Sequence, residues 1–466
     1  MARLVVVSNR VPIPKARSTT AGGLAVALRD VMTAGSMWFG WSGRLSHEPS
    51  NHASLLHARG VTYATVDLAA ENHRGFYVGF ANGALWPLLH FREDLMHFRR
   101  EDYAGYLRVN ATFASALESL LQPDDMVWAH NYHLIPFGRI LREQGFCGPL
   151  GFFLHIPFAP PSMLEALPVA RDLMADLCAY EAVGFQTEDY ARDFRDCAQR
   201  LLGATVDGEW VRLKGRRLRA LAVLIGIDAE AFAHDAEHAV RDKIVQRVAA
   251  SLSGRRLAIG VDRMDYSKGL PNRFEAYGRL LERYPEHRRK IHFLQICPRS
   301  REEVEEYRKL RIELDRLAGR INGRFSELDW TPLRYNTRAT SRKVIAGLYR
   351  LSGIGVVTPL RDGMNLVAKE YVAAQSQEDP GVLVLSQFAG AARELGEAVN
   401  VNPFDPDEIT DAMHLALTMP LAERRHRHQA LRATIFRATA QAYCHRFIQA
   451  LERRGQTRDG GCSTPN

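Results

Sequence analysis

The residues best equipped for chemistry stand together in TPLRDGMNLVAKE, Thr358 to Glu370. The apolar run Gly353 to Val357 precedes this stretch and an alanine-rich segment follows it, which reads as strand, glycine turn and helix. Such a turn aims the first free N–H groups of a helix at whatever lies outside the sheet, and that is an anion site. Gly363 lets the backbone come close to a ligand, and the segment Met364, Asn365, Leu366 and Val367 brings the N–H groups. Glu370, seven residues after the glycine, falls about two helical turns on. Its carboxylate can accept two hydrogen bonds from a vicinal diol such as a ribose, and Asp362 can do the same for a sugar hydroxyl. Phosphate, ribose and sugar contacts in one short stretch describe a nucleotide-sugar donor. The same residues also fit an ordinary turn, with Asp362 as N-cap and Glu370 on a solvated face.

Other candidates sit at the ends of other apolar runs. LAIGV leads into DRMDYSKGLPNR, whose Arg263 and Lys268 are two cations five residues apart, able to clamp a diphosphate or to pair with Asp262 or Asp265. IHFLQICP leads to Arg301, expected in the first turn of a long charged helix. There it opposes the macrodipole at a cost of ~0.5 kcal/mol, a weak sign of a functional task. In the first half, strand Leu4 to Ser8 is followed by Arg10 and by Gly22 and Gly23, a second phosphate-sized turn or a merely flexible one. MWFGWSG sets Trp41 where it can floor a sugar pocket or pack in the core, and Tyr77 is a possible donor to phosphate or hydroxyl. MVWAH and LGFFLH put Asn131, His133 and His155 at the carboxyl ends of neighbouring strands, the edge where open α/β sheets bind ligands. His133 reads as a core histidine and His155 as the functional one. His130 and His133 lack a carboxylate or cysteine at ligand spacing, which argues against metal.

The elements that must hold these residues follow a βαβ rhythm that restarts midway, so the fold class is α/β with two doubly wound halves. The 466 residues are too many for one core. The boundaries expected are 1–228, 229–440, and 441–466 as the end of a terminal helix with a disordered tail. The 46% hydrophobic and 24% charged residues are those of a water-soluble chain. No run approaches the ~20 apolar residues of a membrane span, and the first residues read as a strand and not a signal peptide, so a cytoplasmic protein without membrane contact is expected. Six scattered cysteines form no C-x-x-C pair and argue against a zinc site or a disulfide framework. The net charge of +8 is spread along the chain and carries no nucleic-acid signature. It suits phosphorylated small-molecule substrates.

Taken together, VVVSNR, AGGL, WFGWSG, HNYHL, FFLHIPFAPP, GFQT, DRMDYSKGLP, TPLRDGMNLVAKEY and LSQFAGAA stand in an order that resembles the bacterial trehalose-6-phosphate synthases, from about residue 3 to residue 440. These are retaining glucosyltransferases of GT-B architecture, two Rossmann-like domains facing a central cleft. The resemblance implies transfer of glucose from a nucleoside-diphosphate glucose, UDP-glucose first, to glucose 6-phosphate, with no metal or other cofactor and with homo-oligomers common. It implies donor binding by Gly22, Gly23, Arg263, Lys268, Asp362, the backbone from Gly363 to Val367 and Glu370. For the acceptor it implies Arg10, Tyr77, Asn131 and Arg301, beside the Trp41 read above, and it sets His155 against the donor sugar. The catalytic set it implies is Arg263, Lys268, His155 and Asp362. A double displacement requires a carboxylate on the far face of the donor anomeric carbon, where the resemblance sets a histidine, so no nucleophile is evident and front-face transfer is expected. The chain departs from the family at Asn131, where an aspartate is usual, at Leu224, a proline position, and at Thr340, an aromatic position near the base. Asn131 leaves open a sister transferase using another phosphorylated acceptor, such as glycerol 3-phosphate. A non-catalytic regulatory homologue is the other alternative, and the presence of Arg263, Lys268, Asp362 and Glu370 counts against it.

Overall fold

The computed structural model describes residues 2–13, 28, 32–47, 52–301 and 303–452. Gly22, Gly23 and the polar tail beyond residue 452 lie outside the described residues. The chain forms two compact units, one running to Leu224 and taking in the chain from Gln441, the other spanning Ile225 to Ala440.

In the first unit the strands are, in chain order, β1 Leu4–Arg10, β2 Met37–Ser46, β3 Ser54–Ala58, β4 Val61–Ala69, β5 Met126–His130, β6 Leu150–Phe153, β7 Ala182–Phe185, β8 Thr205–Asp207, β9 Trp210–Leu213 and β10 Arg216–Ala222. They make one sheet in the order β3-β4-β2-β1-β5-β6-β7-β10-β9-β8. It is parallel from β4 to β10 and antiparallel only at its edges. The inner strands are apolar throughout, as a sheet covered by helices on both faces requires. Neighbouring strands run out in opposite chain directions from β1 and β5, so the topological switch point lies where these two strands end.

The last helix, Ala440–Glu452, belongs to this unit, where Phe447 stacks on Trp128 with centroids 4.7 Å apart. Gly151 and Gly184 make room for it, since a Cβ on either would come within 2.8 Å of Phe447. The charged segment after Pro420 is therefore two helices, Leu421–Arg437 and Ala440–Glu452. At the break, the carbonyl of Ala438 lies 1.7 Å from where a Cβ on Gly226 would stand.

The second unit carries six parallel strands: β11 Arg256–Val261, β12 Ile291–Ile296, β13 Leu333–Asn336, β14 Ile354–Val357, β15 Val382–Ser386 and β16 Val399–Val401. Their order is β13-β12-β11-β14-β15-β16, which puts the switch point at the ends of β11 and β14. Arg273, on helix Leu270–Arg283, is fully buried beneath that point. Its guanidinium donates to Asp262 Oδ2 at 2.5 Å, Gln295 Oε1 at 3.0 Å, Thr358 Oγ1 at 3.0 Å and the carbonyl of Lys268 at 3.3 Å. One side chain thus ties the ends of β11, β12 and β14. Burial pushes the Asp262 carboxyl up, and Arg273 opposes that rise.

Replacing Arg273 with methionine removes the donor from a buried carboxylate and from three other buried polar groups. The variant is expected to lose about 3–5 kcal/mol, read as a lower urea midpoint for the second unit. Arg273→Lys, which restores the charge without the fork, recovers only part of this. A midpoint unchanged in the methionine variant would show that the buried cluster does not hold the edge together.

Candidate functional site

Each switch point collects the residues singled out by the sequence. In the second unit, β14 ends at Val357 and the chain turns through Thr358 to Asn365 before helix Leu366–Ala374 begins. Asn365 is the N-cap, at φ 73°, a left-handed position that a short polar side chain tolerates. Its Oδ1 accepts from Ala368 N at 3.2 Å, and its Nδ2 donates to Asp362 Oδ2 at 3.0 Å. Asp362 is not the cap, and Glu370 stands about one turn into the helix instead of two, because Gly363 to Asn365 are not helical. From behind, the QFAGAA loop donates to the turn: Gly390 N to Asp362 O at 3.2 Å and Ala391 N to Met364 O at 2.7 Å. The N–H groups from Gly363 to Val367 donate to no acceptor among the described residues. Five consecutive amides at a helix N-terminus are thereby left for an anion.

The DRMDYSKG loop faces this turn. Gly269 is held at φ +63°, and a Cβ there would lie 2.3 Å from Thr358 O, so no other residue fits without movement. That close approach brings Lys268 Nζ to 2.5 Å from Asp362 Oδ2, with the two side chains 10% and 14% exposed. Neither Asp262 nor Asp265 is the partner of Lys268, because both carboxylates are committed elsewhere. Asp262 holds Arg273, and Asp265 Oδ2 accepts from Tyr307 OH at 2.9 Å and from Arg301 Nη1 at 3.3 Å. Arg263, at the start of the loop, is exposed.

Arg301 is not in the first turn of a helix. It has φ 49°, and the helix it precedes spans Glu305–Phe325. Its 6% exposed side chain also donates to Tyr307 OH at 2.5 Å, so its burial is explained by the Asp265 charge and not by a tolerated dipole cost. The Glu370 carboxylate lies 3.6 Å from Arg342 Nε and is 21% exposed. Burial pushes its carboxyl up to about 7 against the pull of Arg342.

In the first unit, Arg10 closes β1, exposed, with its guanidinium 5.8 Å from the Trp41 ring centroid. The two tryptophans of β2 part company. Trp38 donates to Ser8 Oγ at 2.8 Å in the core, whereas Trp41 begins a row of rings. Trp41 meets His73 at 4.9 Å, His73 meets Tyr77 at 5.2 Å, and Tyr77 meets His133 at 5.7 Å with planes 8° apart. Tyr77 rides on Arg74–Leu85, a twelve-residue π-helix, a rare geometry found most often at functional sites. Its wide turns carry Gly79, which admits the Asp102 carboxylate 2.3 Å from a would-be Cβ.

Asn131 follows β5 with φ 74° and ψ 164°, a region nearly reserved for glycine. Its Oδ1 accepts from Tyr132 N at 3.1 Å, which repays part of the strain. His155 follows β6. Its Nε2 lies 3.0 Å from His130 Nδ1 and its Nδ1 3.2 Å from Gln186 Nε2. With the Gln186 amide donating, His155 carries its proton on Nε2 and donates to His130. Burial pushes His155 down to about 3, so it is neutral. His133 is a buried core histidine, as its position suggests.

The sequence reading passed over Arg273, Arg342, Tyr307, His73 and Gln186. Gln186 was within reach, because GFQT ends β7 beside β6, the strand that His155 follows. Arg342 had no signal, since only the fold brings it to Glu370. Among the described residues the one histidine and carboxylate group at metal-ligand spacing is Glu286, His287 and His414, none of which lies at a switch point.

The family model for Glycosyltransferase family 20 matches residues 2–453. A trehalose-6-phosphate synthase from Cronobacter sakazakii is 45% identical over 456 residues, covering 97% of this chain and 96% of its own. The solved UDP-forming α,α-trehalose-phosphate synthase from Burkholderia xenovorans, in complex with glucose-6-phosphate, is 45% identical with a TM-score of 0.93, covering 97% of this chain and 100% of that one. A solved Escherichia coli protein bound with UDP-2-fluoro glucose is 45% identical with a TM-score of 0.92, covering 97% and 99%. The two mainly parallel sheets are those of the GT-B architecture. With a family match over nearly its whole length and relatives of this identity, the chain belongs to glycosyltransferase family 20.

Proposed function

We propose that the chain transfers the glucosyl group of UDP-glucose to the anomeric hydroxyl of glucose 6-phosphate with retention, giving α,α-trehalose 6-phosphate. The observation that carries this reading is the row of five unmatched N–H groups, Gly363 to Val367, beside the Lys268–Asp362 pair and Glu370. The relatives solved with glucose-6-phosphate and with a fluorinated UDP-glucose support the two substrates.

In this reading the diphosphate lies on the amides, Lys268 turns part of its charge from Asp362 to the phosphates, and Arg263 joins it. Asp362, relieved of some of that pairing, accepts from glucose hydroxyls. As the C1–O bond breaks, negative charge grows on the diphosphate, where oriented amides and ammonium stabilise it most. The leaving phosphate oxygen takes the proton of the incoming hydroxyl on the same face. Arg10, Trp41, Tyr77, Asn131 and His155 offer no carboxylate for a double displacement, and neutral His155 is occupied by His130 and Gln186. The family resemblance assigns Arg10, Tyr77 and Arg301 to the acceptor phosphate and Gly22 and Gly23 to the donor diphosphate. The reaction needs no cofactor beyond its two substrates. No helix among the described residues is long and apolar enough to cross a membrane, which suits phosphorylated substrates met in the cytoplasm. A homo-oligomer is the assembly proposed.

The test is nucleotide release by the purified chain, with UDP-, GDP- and ADP-glucose each offered with glucose 6-phosphate and with glycerol 3-phosphate. UDP release with glucose 6-phosphate, and a product of phosphorylated-disaccharide mass, is expected despite Asn131. Release only with glycerol 3-phosphate would transfer the assignment to the sister reaction.

Glu370 gives a pH dependence of definite sign. Its folded value of about 7 lies above the ordinary 4.5, so the ligand-free protein loses this stabilisation as pH rises from 4.5 through 7. A diol donates to the ionised carboxylate, so UDP-glucose binding strengthens over the upper part of that window. Below pH 7 the Kd is expected to rise by up to about tenfold per pH unit, with proton release on binding seen by calorimetry in two buffers. Glu370→Gln flattens the profile. A wild-type Kd constant from pH 5.5 to 7.5 would contradict the ribose role.

A further inference from the structure

The strands of the second sheet are parallel, so their starting ends form an edge opposite the switch point, about 20 Å away along six residues of β11. At that edge a cavity of about 400 Å³, within the range of small-molecule sites, opens between the start of β11, Gly353 before β14 and Gly381 before β15. Four arginines are among the residues that line it, Arg255, Arg256, Arg350 and Arg424, against a single acidic residue, Asp379. Their charges are unevenly matched. Arg255 is paired with Asp329 at 2.6 Å and Arg424 with Asp379 at 2.6 Å. Arg256 donates to Leu417 O at 2.5 Å and Arg350 to Ala374 O at 3.2 Å, and neither has a carboxylate partner among the described residues. The Nε of Arg424 is buried without an acceptor.

Fork-shaped donors in surplus over acceptors, around a space of ligand size, are the chemistry of phosphate recognition. We propose that this cavity is a second anion site, distinct from the donor turn, which takes a small phosphorylated molecule. Arg256 and Arg350 supply its uncompensated charge. The site is coupled by construction to the donor edge. Helix Arg342–Leu351 carries Arg350 into the cavity at one end and sets Arg342 against Glu370 at the other. Arg350 also holds the last carbonyl of the helix that bears Glu370.

The probe is inorganic pyrophosphate, titrated calorimetrically into the full chain already saturated with UDP and glucose 6-phosphate, so that the donor and acceptor sites are filled. UDP binding is read first, and its failure would count against the transferase reading and not against the cavity. One pyrophosphate per chain is expected. Arg256→Gln, an exposed position, weakens it about tenfold through loss of a charge-assisted pair and leaves UDP release unchanged. Asp379→Asn, also exposed, removes the one opposing carboxylate and tightens it, a gain that a merely structural role cannot produce. No heat with the wild type, or the same Kd in all three proteins, overturns the proposal.

Discussion

A guanidinium with no access to water must have its positive charge and its donors matched inside the protein, and Arg273 meets that demand by drawing in four partners from three strand ends. The matching fixes more than its own surroundings. Because the Lys268 carbonyl and the Thr358 hydroxyl are both held, the loops after β11 and β14 meet at a set distance, and Gly269 lets them touch. Lys268 and Asp362 are then opposed at 2.5 Å, at an edge whose amides face no internal acceptor. A satisfied polar cluster beneath and an unsatisfied one above are two sides of the same arrangement. The lower one rigidifies the edge so that the upper one costs little to hold open.

The first unit handles its polar groups differently. Rings, not ions, line its switch point: Trp41, His73, Tyr77 and His133 in a row, and the Gln186–His155–His130 chain beside them. Burial keeps His130 and His155 neutral, so this edge presents shape and hydrogen bonds with Arg10 as its exposed cation. A sugar phosphate is a suitable guest for that combination, with hydroxyls for the ring face and a dianion for the arginine. The two edges thus divide the chemistry. In the proposed transfer, one edge meets charge that develops during bond breaking and the other a guest whose charge is constant.

Much of this was legible before the fold was known, because strand-ending motifs carry their own geometry. VVVSNR, MVWAH, LGFFLH and the Thr358 stretch each announce a strand, and the βαβ rhythm sends the ends of the first three to one edge of the first sheet and the end of the fourth to one edge of the second. What the sequence could not convey was which charge pairs with which. Lys268 has Asp262 and Asp265 as near neighbours along the chain, yet it binds Asp362, ninety-four residues on, because Arg273 and Arg301 have claimed the other two. Arg301 was misread for a related reason. Its charge near a helix start suggested a misplaced cation, while the residue stands in a left-handed turn of the loop, before the helix that begins at Glu305. The π-helical turn at Tyr77 has no periodic signature that a helical pattern search would separate from an ordinary helix.

The most direct measurement of the central claim is amide hydrogen exchange across Pro359 to Ala368, followed with and without UDP. If the five N–H groups from Gly363 to Val367 are the diphosphate cradle, UDP gives them acceptors and their exchange slows, while the same amides in Lys268→Ala are protected less. Tight UDP binding by calorimetry with unchanged exchange in that peptide would place the diphosphate elsewhere and contradict the account.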